Sequence, residues 1–160
     1  MIDSLYLEIL HMIHRRLTDA KLNWVVTGSL GFALQGVPVE PRDIDIQTDQ
    51  AGAYEMEHLF SEFIVRKVVF SSAERIRSHF GQLMIEGIKV DIMGDVEKRL
   101  ADGTWDDPVD LTRHKRMAEV DGMQVPVLSL EYEHQAYLKL GRTEKAEMLR
   151  KWLRGERQSS

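Results

Sequence analysis

The sequence predicts an α/β (α+β) fold: a mixed central sheet flanked by helices, with a hairpin and further helices at the C-terminal end. Three observations predict it. Residues 1–20 place Leu5, Ile9, Met12, Ile13 and Leu17 at helical spacing. Residues 43–46 and 88–92 alternate apolar and polar side chains, as half-buried strands do. Asp121-Gly122 stands between two alternating runs, a two-residue hairpin signal.

In chain order, the helix over 1–20 is followed by a short apolar strand over 23–27. Gly28-Ser29 closes that strand, and 30–35 read as a helix with Ser29 near its start. Residues 36–41 hold two prolines and form a loop that delivers the chain to the strand at Asp43. Residues 49–63 read as a helix capped by Asp49, and 64–70 as a strand. The polar, basic stretch 71–80 reads as loop or short helix. Residues 82–86 and 89–93 form a hairpin turning near Gly87, and 112–120 with 123–128 form a second one. Residues 130–153 read as helix, interrupted near Gly141, and the polar tail 154–160 is expected to fray.

Composition bounds the classes of function. The chain has 160 residues, 43% hydrophobic and 29% charged, the profile of one globular domain spanning 1–160. The absence of cysteine excludes disulfides and thiolate metal sites, and fits a reducing cytoplasm. No apolar run approaches the roughly 18 residues a membrane helix needs, and no basic–apolar leader opens the sequence. A formal net charge of −5 argues against a nucleic-acid binder held by a global basic field.

The chemistry concentrates in residues 24–92. In Asp43-Ile44-Asp45-Ile46 the isoleucines go to the core, so both carboxylates share the other face, with Cα atoms about 7 Å apart. Two bare charges at that distance repel by about 2 kcal/mol at an effective dielectric of about 20. A cation, a shared proton or a basic neighbour must relieve them. Asp91, between Val90 and Ile92, joins them if its strand lies beside theirs. Three carboxylates suit Mg²⁺, which takes a few carboxylates plus water and substrate phosphates. Two such ions would hold the attacking and leaving oxygens of a phosphoryl transfer. Gly28, with no Cβ, lets backbone amides approach a phosphate, and the Ser29 hydroxyl adds a donor. Ordinary readings stand beside these. Gly28-Ser29 is also a plain strand-to-helix turn, and the aspartates are also surface charges with Arg42, Arg75 or Arg77 as partners.

The ordered pattern of Gly28-Ser29, thirteen residues, Asp43-x-Asp45, then Asp91 between apolar neighbours resembles the signature of the polymerase-β-like nucleotidyltransferase superfamily. The likeness is to its small bacterial members: antibiotic nucleotidyltransferases, minimal nucleotidyltransferase antitoxins and abortive-infection toxins. The resemblance implies the nucleotidyltransferase fold, with a catalytic core over about 20–95 and a C-terminal hairpin and helical extension over about 104–155. It implies Asp43, Asp45 and Asp91 as catalytic residues binding two Mg²⁺ ions, and Gly28 and Ser29 on the phosphates of ATP or another nucleoside triphosphate. Arg42, just before the Asp-x-Asp, matches those members too. Pro126-Val-Leu-Ser-Leu-Glu followed by Leu138-Lys139-Leu140-Gly141-Arg142 resembles the C-terminal portion of the abortive-infection and minimal groups and implies Lys139 as a nucleotide contact. Lys145 departs from the pattern, which has an acidic residue shortly after the Gly-Arg.

These implications give a Mg²⁺-dependent transfer of a nucleoside monophosphate, most simply AMP from ATP, to an acceptor hydroxyl. The acceptor is a small molecule, an RNA or a protein. The acidic balance and the cluster Glu131, Glu133 and Glu144 suit a small cationic acceptor such as an antibiotic. The alternative is a nucleotide-binding regulator without turnover, such as a toxin–antitoxin component. His11 and His14, three apart, read as surface histidines, Trp105 as packing, and the basic run 113–116 as a solvated strand face.

Overall fold

The computed structural model describes residues 2–155. Its seven strands make one mixed sheet in the order β3-β4-β5-β2-β1-β7-β6. The chain opens with α1 (Ser4–Asp19), capped by the Asp3 carboxylate accepting the Leu5 N–H at 2.9 Å. It then runs through β1 (Trp24–Thr27), α2 (Gly28–Leu34), β2 (Ile44–Thr48) and α3 (Gln50–Leu59). The expected long helix after Asp49 is shorter: Asp49 caps α3 through the Gly52 N–H, and a single 3₁₀ turn, Ser61–Phe63, separates it from the next strand.

The stretch 71–80, expected as loop or short helix, is strand except for the short connection 73–75. β3 (Ile64–Ser72) and β4 (Ile76–Ile85) form a hairpin, and β5 (Ile88–Lys98) pairs along the other side of β4. The polarity that masked β4 has a local cause: the Arg77 guanidinium, on an inner strand, pairs with Glu97 across β5 at 2.7 Å. The β4–β5 turn falls at Glu86-Gly87, both at positive φ (49° and 82°) as the tight hairpin geometry requires.

The second hairpin also starts later than the sequence pattern placed it. Leu111–His114 form one helical turn, α4, capped by Asp110, and only then do β6 (Lys115–Val120) and β7 (Met123–Leu128) pair around Asp121-Gly122. The basic run 113–116 is thereby divided between α4 and β6. α5 (Leu130–Lys139) and α6 (Thr143–Leu153) follow, broken at Gly141 with φ 72°. Met1 and the tail beyond residue 155, whose fraying was expected, lie outside the described residues.

One face of the sheet packs against α1 and α3. Ile9, Leu10, Ile13 and Leu17 of α1 and Ala53 and Met56 of α3 bury Ile44, Ile46, Val90 and Ile92 of the central strands. A second apolar cluster joins α2 to α5 and α6 through Phe32, Leu130, Tyr137, Ala146 and Leu149. The C-terminal extension is continuous with the sheet, because β7 pairs in parallel with β1 at Val26–Val127. Among the described residues no helix is long and apolar enough to cross a membrane.

Candidate functional site

β2 and β5 lie side by side and parallel, in the register Ile44–Val90, Asp45–Asp91, Ile46–Ile92. The isoleucine and valine positions fix this register by facing the core, so Asp45 and Asp91 are brought level on the other face. The same transverse row continues to Thr27 on β1 and Gln82 on β4. Gln82 donates its side-chain N–H to Asp91 Oδ1 at 3.0 Å. Asp43 precedes β2, and its carboxylate lies 3.8 Å from Lys89 Nζ. Among the described residues no three His, Asp or Glu side chains already form a close ligand set. Asp45 and Asp91 face each other, while Asp43 stands beside a lysine.

Burial, first, and then the negative charge of Asp91 push the Asp45 carboxyl up to about 7; Asp43 adds to this, and Lys145 pulls the other way. The Asp45–Asp91 pair is therefore short of positive charge. An oxygen-only donor set short of positive charge is the chemistry a divalent magnesium ion satisfies. The residues present fit such an ion.

Gly28 begins α2 with φ 69°, and a Cβ built on it would stand 2.3 Å from Asp45 Oδ2. Only glycine permits both that backbone conformation and that approach. Ser29 Oγ accepts the Arg42 N–H at 3.1 Å, tying the turn to the loop that enters β2. Tyr6 supports the same loop by donating its hydroxyl to the Arg42 carbonyl.

Helix α5 contributes a further carboxyl, Glu133, only 4% exposed. It accepts the Thr27 hydroxyl and the Gly28 N–H, while its Oε2 is buried with no protein partner. Burial is the main cause that pushes Glu133 up to about 8, with the charge of Asp45 adding to it. A cationic side completes the site. Lys145 on α6 feels Arg142, Asp45, Glu133 and Arg42 together, and burial foremost holds its ammonium below the usual lysine value. Lys145 Nζ and the Arg142 guanidinium stand 5.5 and 5.6 Å from the Tyr137 ring centroid. Lys139 lies elsewhere, donating to Asp106 Oδ2 at 2.8 Å.

The profile of the aminoglycoside-2''-adenylyltransferase family matches residues 9–151, most of the chain. The chain belongs to this family. A structure from Thermotoga maritima (TM1012), described as a presumed nucleotidyltransferase, is 68% identical, with 98% of this chain and 97% of that one covered and a TM-score of 0.85. The fold also resembles ANT(2'')-Ia in complex with adenylyl-2''-tobramycin, at 13% identity, 93% and 90% coverage and a TM-score of 0.61. It resembles lincomycin-bound LnuA, a lincosamide antibiotic adenylyltransferase, at 15% identity, 88% and 94% coverage and a TM-score of 0.56. Among curated proteins no significant match is found. The nucleotidyltransferase fold expected from the Gly-Ser and aspartate pattern is thus that of the family and its structural relatives.

Within that family frame, the structure brings Gly28, Asp45 and Asp91 together, with Ser29, Arg42 and Asp43 around them. Lys139 is directed to Asp106, and Lys145 is the lysine whose charge acts on Asp45. The acidic cluster Glu131, Glu133 and Glu144 does not exist as one surface, since Glu133 is buried under the Gly28 turn and the other two are exposed. Sequence reasoning missed Glu133 as a support of that turn. The available signal was a carboxylate on the stripe Leu130, Glu133, Tyr137, the buried face of α5.

Proposed function

We propose that this chain transfers a nucleoside monophosphate, most simply AMP from ATP, to a hydroxyl of a small acceptor, releasing pyrophosphate. The observation that carries the reading is the level pairing of Asp45 with Asp91 beside a glycine whose Cβ would displace the Asp45 carboxylate. Gly28 and Ser29 would cradle the β- and γ-phosphates, leaving the α-phosphorus open. Lys145, Arg142 and Arg42 supply compensating positive charge on the phosphate side. Lys139 would join them only on leaving Asp106.

Asp43, Asp45 and Asp91 would hold magnesium, which when bound supplies positive charge to the reacting oxygens. Asp91, oriented by Gln82, accepts the acceptor's hydroxyl proton. The acceptor oxygen forms the new bond to the α-phosphorus, and the bond to the bridging oxygen breaks with its electron pair leaving on pyrophosphate. An antibiotic-like polyol suits the acceptor position, in keeping with the family and with the ligands of ANT(2'')-Ia and LnuA.

Pyrophosphate release from ATP and Mg²⁺ across a panel of hydroxylated antibiotics, RNA and protein acceptors tests this. Release with a small alcohol that disappears in Asp91→Asn supports the proposal, and release only with RNA or protein overturns the choice of acceptor. A nucleotide-binding regulator is the second reading, favoured by the Lys89 contact that occupies Asp43. It predicts tight Mg²⁺-dependent ATP binding with no release under any acceptor.

A further inference from the structure

Beyond Asp45 the candidate site continues into a cleft of about 170 Å³ between the sheet and α5. Gln47 is the next residue on the Asp45 face of β2, about 7 Å further along. It lines this cleft, and its Oε1 is buried without a hydrogen-bond partner. Buried polar atoms are nearly always partnered, so an orphan on a cleft wall marks a place kept for a donor.

Lys98 lines the same cleft for an unusual reason. Along β5, Asp91 and Met93 face the site, and regular alternation would turn Lys98 to the opposite side. Instead Asp95 takes φ 51°, and β5 advances three residues, Gly94 to Glu97, while β4 advances two, His79 to Arg77. This β-bulge reverses the alternation and aims Val96 and Lys98 into the cleft. Lys98 is 4% exposed, donates to the Tyr132 hydroxyl at 2.7 Å and has no carboxylate within ion-pair distance among the described residues. A buried ammonium has two further N–H donors to offer.

We propose that this cleft reads the base of the donor nucleotide, Gln47 Oε1 accepting an amino N–H and Lys98 donating to the neighbouring ring nitrogen. The inference rests on the nucleotidyl-transfer reading above and adds to it which base edge is selected. The cleft is smaller than the roughly 300 Å³ at which sites for whole drug-sized ligands begin. It therefore takes one planar heterocycle, with ribose and phosphates running back to Asp45 and Gly28 at its other end. Met93, Val96 and Leu128 give that heterocycle apolar walls. A base entering the cleft ring-first points its Watson–Crick edge away from its ribose. On that edge an amino donor beside a ring-nitrogen acceptor occurs on adenine and on cytosine, whereas the amino group and N3 of guanine meet only on its ribose side. At the matching positions guanine and uracil carry the donor on the ring and the acceptor outside it.

Calorimetric titration with Mg²⁺ and each of ATP, CTP, GTP, UTP and ITP, whose base lacks the amino group, separates these cases. Wild type is expected to bind ATP or CTP at least tenfold more tightly than GTP and UTP, with ITP among the weak group; ATP against CTP identifies which base it is. Gln47→Leu, nearly equal in volume, should bring the favoured nucleotide down to the level of the others while leaving those unchanged. Lys98→Met, checked for an unaltered circular dichroism spectrum, should weaken the favoured nucleotide. Equal binding of all five, or a preference that survives in Gln47→Leu, overturns the base-reading assignment and leaves nucleotidyl transfer standing. Binding of none overturns both.

Discussion

Replacing Glu133 by glutamine tests the electrostatics of the Gly28 support directly. A carboxyl raised in the folded state holds its proton more tightly there than in the unfolded chain. The stability this lends is complete below 4.5 and is lost as pH climbs to about 8. At about 1.4 kcal/mol per pH unit the loss amounts to roughly 5 kcal/mol. Glutamine keeps an oxygen for Thr27 and Gly28 and cannot ionise. Its amide takes the place of the unpartnered Oε2, and an unsatisfied buried donor costs about 1–3 kcal/mol.

The net expectation for Glu133→Gln is a gain of about 2–4 kcal/mol at pH 8.5 and a loss of up to about 2 kcal/mol at pH 5, where the unsatisfied amide donor outweighs the small relief of protonation. For a chain of this length the gain is on the order of 10 °C in the thermal midpoint. Asp45 contributes its own decline between 3.8 and about 7, but it is present in both proteins and drops out of the difference to first order. Urea unfolding of the two proteins at pH 5, 6.5 and 8.5 measures it. A difference that stays flat across that range would mean Glu133 is ionised in the fold, and the account of its burial would fail.

Three further outcomes follow from the same geometry. Gly28→Ala should lower transfer about 100-fold, since its Cβ displaces the Asp45 carboxylate, and should cost about 1–2 kcal/mol of stability from the left-handed backbone; unchanged steady-state kinetics would remove the turn from the site. Asp91→Asn should lower transfer at least about 100-fold while the thermal midpoint holds or rises, because the charge facing Asp45 is gone and Gln82 keeps an acceptor; a midpoint that drops in scanning calorimetry would make Asp91 a structural residue. Lys145→Ala should raise the KM for nucleotide about tenfold, the worth of one charge-assisted contact, and Lys139→Ala by much less; the reverse order would return the nucleotide contact to Lys139.

What was legible in the sequence follows the strength of local signals. The placement of Asp45 and Asp91 on one face of β2 and β5 was readable because they interrupt alternating apolar runs whose period dictates their face. Both two-residue turns were readable because Glu86-Gly87 and Asp121-Gly122 accept positive φ at both positions. The first half of β4, up to Phe80, was not, since its polar residues have partners the sequence cannot display: Arg77 reaches Glu97, and His79 meets Tyr54 and Phe70. Lys98 was beyond reach for a sharper reason. One inserted residue at Asp95 flips the face of everything after it, and a period-2 reading has no means of locating that insertion. Lys145 carried a misleading signal, as it stood where an acidic residue was expected, yet its charge reaches Asp45.

The C-terminal third bears on the site through strand direction. β7 pairs with β1 in parallel, so both strands end on the same edge of the sheet. β1 ends at Thr27, where Gly28 turns into α2; β7 ends at Leu128, where Ser129 caps α5 by accepting the Tyr132 N–H at 3.2 Å. One turn of α5 beyond its cap is enough to set Glu133 on the Thr27 hydroxyl and the Gly28 N–H. Had β7 run antiparallel to β1, α5 would have begun at the opposite edge, and the turn would lack its buried acceptor. Nor would Tyr132 and Tyr137 have walled the cleft that Gln47 and Lys98 line. The aspartates come from the first two thirds of the chain, but the backbone of the glycine beside them is held from the last third.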